Sequence, residues 1–211
     1  MMICKKIFAP LFAILFSMNI ALSAQTGRID YNSVLFDYSQ LDFNKIKKEA
    51  DSFFALHKNS KDTETKEQYL NTAAGKYYIL TKIDNTRLEP YVQLGRIYDE
   101  KNKARLAKEN FCKAINLKST DADANFYFGE FYYKRKDYKQ ALYYYDKAYN
   151  NGYNLKYILN LRLATIYEKL GDLSNAKNFY DVSYSMKPNS KLKKRILEIK
   201  NTDYYKSGYY D

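Results

Sequence analysis

The sequence predicts an all-α solenoid of antiparallel helix pairs stacked side by side. Three observations predict it. Residue types recur at an interval of 34 positions, the recurring residues share single helix faces, and Gly (7) and Pro (3) are too scarce in 211 residues for a many-stranded sandwich or barrel. Apolar residues at 46% and charged residues at 28% describe a globular chain rather than a disordered one.

The N-terminus reads as an address. Lys5 and Lys6 precede an apolar stretch, Ile7–Phe16, and Ala21-Leu22-Ser23-Ala24 closes it with small residues. A positive start, a short apolar centre and a small-residue end are the marks of a secretory signal peptide, residues 1–24, cleaved near Ala24. Pro10, Ser17 and Asn19 interrupt the run of about 20 apolar residues that a spanning helix needs. The mature chain is therefore expected outside the cytoplasm, periplasmic or secreted. Cleavage removes two lysines and no acid, lowering the formal charge from +11 to +9, and leaves Cys112 as the single thiol, too few for an internal disulfide. Between Phe111 and Lys113, Cys112 reads as a half-buried filler. Residues 25–40 form an N-terminal leader.

The repeat follows. Leu94, Gly95 and Tyr98 return as Phe128, Gly129 and Tyr132, and Ala107, Phe111 and Ala114 as Ala141, Tyr145 and Ala148, all 34 residues later. A third copy, Leu163, Ala164, Tyr167, Ala176, Tyr180 and Ser183, is displaced by 35, with the extra residue near Asn151-Gly152. Stepping back 34 from the second trio reaches Ala73, Tyr77 and Leu80. The first trio of each copy lies at i, i+1, i+4 and the second at i, i+4, i+7, each one helical face. The short polar segments between them, such as Lys134–Lys139, require the two helices to lie antiparallel. Small residues at Gly95, Gly129 and Ala164, set against Ala107, Ala141 and Ala176, are expected to let the two backbones approach.

Punctuation agrees. Asp137 and Asp172 are placed to cap helices, Pro90 falls in a first helical turn, and Asn151-Gly152 and Pro188 end helices. The repeat domain is expected over 41–201, with repeats at about 41–87, 88–121, 122–155 and 157–190. A degenerate first helix, 41–58, carries Leu41, Ile46, Ala50, Phe53 and Phe54 out of register. The last repeat needs a cover, and Leu192, Ile196 and Ile199 give a capping helix over 190–200. A Tyr-rich tail, 202–211, has no helical period and is expected to be loosely held.

Tyr91-Val92-Gln93-Leu94-Gly95-Arg96-Ile97-Tyr98, followed by Ala107, Phe111 and Ala114, resembles the tetratricopeptide repeat family, with Tyr91 at the place of the usual Trp and Asn125 and Asn160 at that place in the next copies. The resemblance implies a right-handed solenoid of about three full repeats plus a degenerate one. It also implies a concave groove lined by the first helix of each pair, here through Val92, Arg96, Asp99, Phe126, Tyr127, Glu130, Tyr133, Leu161, Arg162, Thr165 and Glu168. Apolar, aromatic and oppositely charged residues are mixed there, which suits an extended peptide or a partner helix. Family members that clamp a C-terminal carboxylate use Lys and Asn at set groove sites. Val92, Arg96, Tyr127 and Ile158 depart from that set, and Arg162 alone matches.

No catalytic constellation presents itself, and no enzyme activity, metal or cofactor is expected. His57 is the sole histidine, expected at the surface or groove edge, and no Gly-rich phosphate loop exists. Glu130 and Glu168 can be nominated as a carboxylate pair, but nothing sets their environments apart. Of the 24 tyrosines, those at repeat positions are core, whereas Tyr143-Tyr144-Tyr145 point three ways around a helix and cannot all be buried. Lys and Arg are spread among acids, so no nucleic-acid partner is expected. The function expected is a scaffold or adaptor of the cell envelope binding a protein or peptide in its groove. The alternative is association with an anionic envelope polymer or membrane surface through the basic charge.

Overall fold

The computed structural model describes residues 38–206, so the signal peptide, residues 25–37 and residues 207–211 lie outside the described residues. Tyr38–Gln40 is a single 3-10 turn, and the helical unit begins at Leu41. That unit contains α1 (Phe43–Asn59), α2 (Thr63–Ile83), α3 (Glu89–Glu100), α4 (Ala104–Leu117), α5 (Ala122–Lys134), α6 (Tyr138–Asn150), α7 (Lys156–Lys169), α8 (Leu173–Met186) and α9 (Ser190–Lys206). Helices pair as α1/α2, α3/α4, α5/α6 and α7/α8, each pair packs on the next, and α9 covers α8. The fold is thus the all-α solenoid that the 34-residue period predicts.

Capping fixes where helices begin. Asp42, Asp62, Asp121, Asp137 and Asp172 each accept a hydrogen bond from the backbone N–H three residues on. The turns inside the pairs also repeat. Asn102, Lys136 and Gly171, spaced by 34 and 35 residues, all adopt positive φ, at 54°, 60° and 83°. Only one of the three is glycine, so the turn tolerates a side chain in the left-handed region at some cost.

Core packing runs down the stack. A Cβ at Gly95 would lie 2.8 Å from the Phe111 ring, and one at Gly129 would lie 2.7 Å from the Tyr145 ring. The glycines therefore make room for the aromatic ring of the second helix rather than for the facing alanine, which refines the expectation for Gly95/Ala107 and Gly129/Ala141. Those alanines are themselves fully buried. Between pairs, Phe111 stacks on Phe128 at 5.3 Å, and Phe126 stacks on Tyr153 at 4.1 Å. Asn125 does not fill an aromatic's place. It lies buried, its amide donating to the carbonyls of Ser119 and Asp121 at 2.9 and 2.7 Å, and so closes the turn between two pairs.

Two expectations change. The helix after residue 190 does not stop near 200: Thr202–Lys206 continues α9, because nothing between Ser190 and Lys206 is Gly or Pro. Leu192 and Ile199 pack under Tyr180 and Ala176 as a cover. His57 is not at a surface. It is 1% exposed, stacked on Phe54, with Nδ1 at the Phe54 carbonyl and Nε2 3.2 Å from Glu100 Oε2, tying α1 to α3. Among the described residues no helix is long and apolar enough to cross a membrane.

Candidate functional site

The candidate surface is the wall formed by the first helices α1, α3, α5 and α7. Amphipathic spacing gives each first helix two burial demands, one toward its own partner and one toward the next pair. Val92, 3% exposed, meets the second demand, packing with Phe111, Ala124 and Phe128. Phe126 does the same against Tyr145, Tyr153 and Leu159. Neither is a groove residue, which corrects the expectation from the repeat pattern that residues outside the first trio face the groove.

Four of the five charged groove candidates, all but Arg96, are held in ion pairs that join one helix pair to the next element of the stack. Asp99, 8% exposed, receives Lys134 Nζ and Arg135 Nη1, each at 2.7 Å. Arg162 holds Glu130 with two hydrogen bonds, at 2.6 and 3.1 Å, while the Tyr145 hydroxyl donates to Glu130 Oε1. Arg195 of α9 holds Glu168 at 2.7 and 3.0 Å, and the Tyr180 hydroxyl donates to the same carboxylate at 2.9 Å. In the first pair, Tyr77 donates to Asp51, which also takes Lys47 at 2.7 Å. The motif is a buried tyrosine hydroxyl aimed at a first-helix carboxylate, with a cation closing it.

The electrostatics follow. Burial, and then the neighbouring carboxylates, push the Tyr145 and Tyr77 hydroxyls far above the ordinary tyrosine value, so they remain donors. Burial alone would raise Glu168, but hydrogen bonds from Arg195 and Tyr180 outweigh it and hold the carboxyl below its ordinary value. The hydrogen bond to Glu130 raises Arg162.

A second set of side chains forms a ladder. The Arg96 guanidinium on α3 lies between the rings of Phe54 on α1, at 4.8 Å, and Tyr127 on α5, at 4.0 Å, so three consecutive first helices contribute. Arg162 stands over Tyr133 at 5.1 Å. Leu161 packs toward the α8/α9 core, and Thr165 donates to the Leu161 carbonyl. Of the eleven groove candidates, the structure brings together Arg96 with Tyr127 and Glu130 with Arg162 and Tyr133. The repeat pattern does not reach Phe54, Lys58 and Gln93, since α1 is out of register and Gln93 lies outside the recurring faces.

Two cavities open at these networks. One, of about 410 Å³, is lined by Asp51, Phe54, Ala55, Lys58, Asn59, Tyr77, Gln93 and Arg96. The other, of about 470 Å³, is lined by Asp99, Glu100, Asn102, Lys134 and Arg135. The first offers an aromatic floor with amide and cationic donors. The second is walled by ion pairs already closed.

A family model for the tetratricopeptide repeat matches residues 88–121 and 158–190. No curated protein sequence matches the chain. Among solved structures, PilF of Pseudomonas aeruginosa is similar at 15% identity, covering 76% of this chain and 72% of its own, with a TM-score of 0.59. PilW, a widely conserved type IV pilus biogenesis factor, is similar at 20% identity over 77% of this chain and 74% of its own, with a TM-score of 0.61. MamA is similar at 19% identity over 69% of this chain and 99% of its own, with a TM-score of 0.52. At these identities the likeness is one of fold.

Proposed function

We propose that this stack of tetratricopeptide repeats is a non-enzymatic scaffold of the cell envelope that holds a partner peptide or helix against its first-helix wall. The observation that carries the reading is the Phe54–Arg96–Tyr127 ladder: guanidinium and tyrosine surface from α3 and α5, backed by the buried Phe54 ring of α1, beside an open cavity. Such surface gives large, rigid contact area at small entropic cost on binding. Repeats of this family bind proteins in general, which supports the class of partner. The leader-like N-terminus and the similarity to PilF and PilW support the extracytoplasmic location.

The test is photo-crosslinking in the native cell. A photoreactive residue replacing Tyr127 or Tyr133 on the wall should give a discrete cross-linked protein, while one replacing the exposed Tyr143 or Tyr149 on α6 should not. Equal labelling from α6 would reject the wall as the binding face.

A second reading has one observation in its favour. Lys191, Lys193 and Lys194 stand exposed on α9, and among the described residues their one ion pair is Lys194 with Glu198, at 4.0 Å. On this reading α9 rests on an anionic polymer or lipid surface. Binding of that kind is lost when Lys191, Lys193 and Lys194 are replaced by Gln, whereas cross-linking from Tyr127 on the wall is not.

A further inference from the structure

We propose that the cavity between α1 and α3 seats an acidic side chain, Asp or Glu, of an extended peptide, with Arg96 as its fork and Lys58 as its second charge. The proposal rests on the wall being the binding face and names the chemistry recognised there. Six arginines lie among the described residues. Arg87, Arg105, Arg135, Arg162 and Arg195 each stand within hydrogen-bond reach of a carboxylate, and Arg96 does not. Its Nη1 donates to Gln93 Oε1 at 2.8 Å, leaving Nε and Nη2 without an acceptor among the described residues.

The surroundings of Arg96 explain what its remaining N–H groups are suited to. The rings of Phe54 and Tyr127 lie 4.8 and 4.0 Å from the guanidinium, a planar group whose N–H donors lie along its edge. An edge held in a fixed plane matches a carboxylate bidentately. Lys58 also has no ion pair among the described residues and lies 5.5 Å from the Phe54 ring, on the same cavity. Asp51, the acid lining the cavity, is already held by Lys47 and Tyr77, so the cavity keeps a surplus of positive charge. Asp123 feels the charge of Arg96 at longer range without pairing with it. Asn59 and Gln93 add amides of the kind that bond peptide backbone. An acid there completes the pattern of the other pairs, in which a carboxylate always meets the cation, but with the carboxylate supplied by the partner.

The experiment is an NMR titration of the 15N-labelled protein with a hexapeptide blocked at both ends, Ala-Leu-Glu-Asp-Leu-Ala, and with its Gln-Asn counterpart. The acidic peptide should shift the Arg96 Nε–H signal and bind about tenfold tighter than the amide peptide at low salt. Lys58→Gln, a change at an exposed side chain that leaves the fold intact, should weaken the acidic peptide by roughly threefold and Arg96→Gln by about tenfold, with Arg96→Lys between them. Absence of binding, equal binding of the two peptides, or indifference to both substitutions overturns the proposal. So does equal binding by the Gln-Asn peptide once its C-terminus is left free, since the cavity would then be reading a chain end. Cross-linking from Tyr127 and Tyr133 tests the wall separately, so the wall can stand where the acidic seat fails.

Discussion

Arg162 on α7 grips Glu130 on α5 across 32 residues of chain, Nε to Oε1 at 2.6 Å and Nη2 to Oε2 at 3.1 Å, while Tyr145 of α6 donates to the same carboxylate. One carboxylate therefore joins three helices from two consecutive pairs. Glu130→Ala should destabilise by about 2–3 kcal/mol, since it leaves a part-buried guanidinium and a buried hydroxyl unpaired. The double variant with Arg162→Ala should cost less than the sum of the singles, with a coupling of roughly 1–2 kcal/mol in denaturant unfolding. Additive losses would show that the pair is incidental. As groove contacts alone, these residues could be removed together with little change in melting, and the geometry predicts otherwise.

Glycines in the stack should behave in opposite ways. Gly129→Ala puts a Cβ 2.7 Å from the Tyr145 ring, which is fully buried and tied through its hydroxyl, and should cost about 1–3 kcal/mol. Gly75→Ala, in α2 with nothing within 4 Å, should stabilise by roughly 0.5–1 kcal/mol through helix propensity. Thermal melts of the two variants check the sign of each.

Lys136 occupies the left-handed turn position that Gly171 fills in the next pair. Lys136→Gly should therefore stabilise by about 0.5–1 kcal/mol, and Gly171→Lys should destabilise by about as much. A loss on Lys136→Gly would mean that the lysine contributes something beyond its backbone angle.

Acid should loosen the C-terminal end first. Glu168 is held below its ordinary 4.5, so the stability it contributes is present above that value and is lost as pH falls through the lower, folded one. The exposed capping carboxylates are shifted the same way, Asp62 by the side chain and then the backbone N–H of Thr65, and Asp172 by the backbone N–H and then the side chain of Asn175. The melting temperature should drop between about pH 5 and pH 3, and Glu168→Gln should make that drop shallower. An unchanged slope would remove the Arg195–Glu168–Tyr180 cluster from the acid response.

The stack was legible in the sequence because the packing inside each pair uses the same six positions in every copy. Gly95 with Phe111 and Gly129 with Tyr145 are instances of one local rule, readable at a fixed spacing. The wall was less legible. Val92 and Phe126 lie one face away from the repeating trio, and only the stagger of one pair on the next decides whether that face meets solvent or a neighbour. Ion-pair partners are undetermined for the same reason: Glu130 and Thr165 occupy matching positions in successive copies, yet only the former is clamped by an arginine. His57 went unread because α1 carries its apolar residues out of the period, so nothing in the spacing placed the imidazole against Glu100. The extension of α9 to Lys206 had a signal, the absence of any Gly or Pro between Ser190 and Lys206, that the tyrosine-rich composition masked.

The central claim is that a partner lies along the first helices. Amide hydrogen exchange of the protein with and without the protein cross-linked through Tyr127 tests it most directly. A partner on the wall should add protection concentrated in α1, α3 and α5, with α4, α6 and α8 unchanged. Protection falling on α4, α6 and α8, with the Phe54–Arg96–Tyr127 ladder exchanging as before, would contradict it.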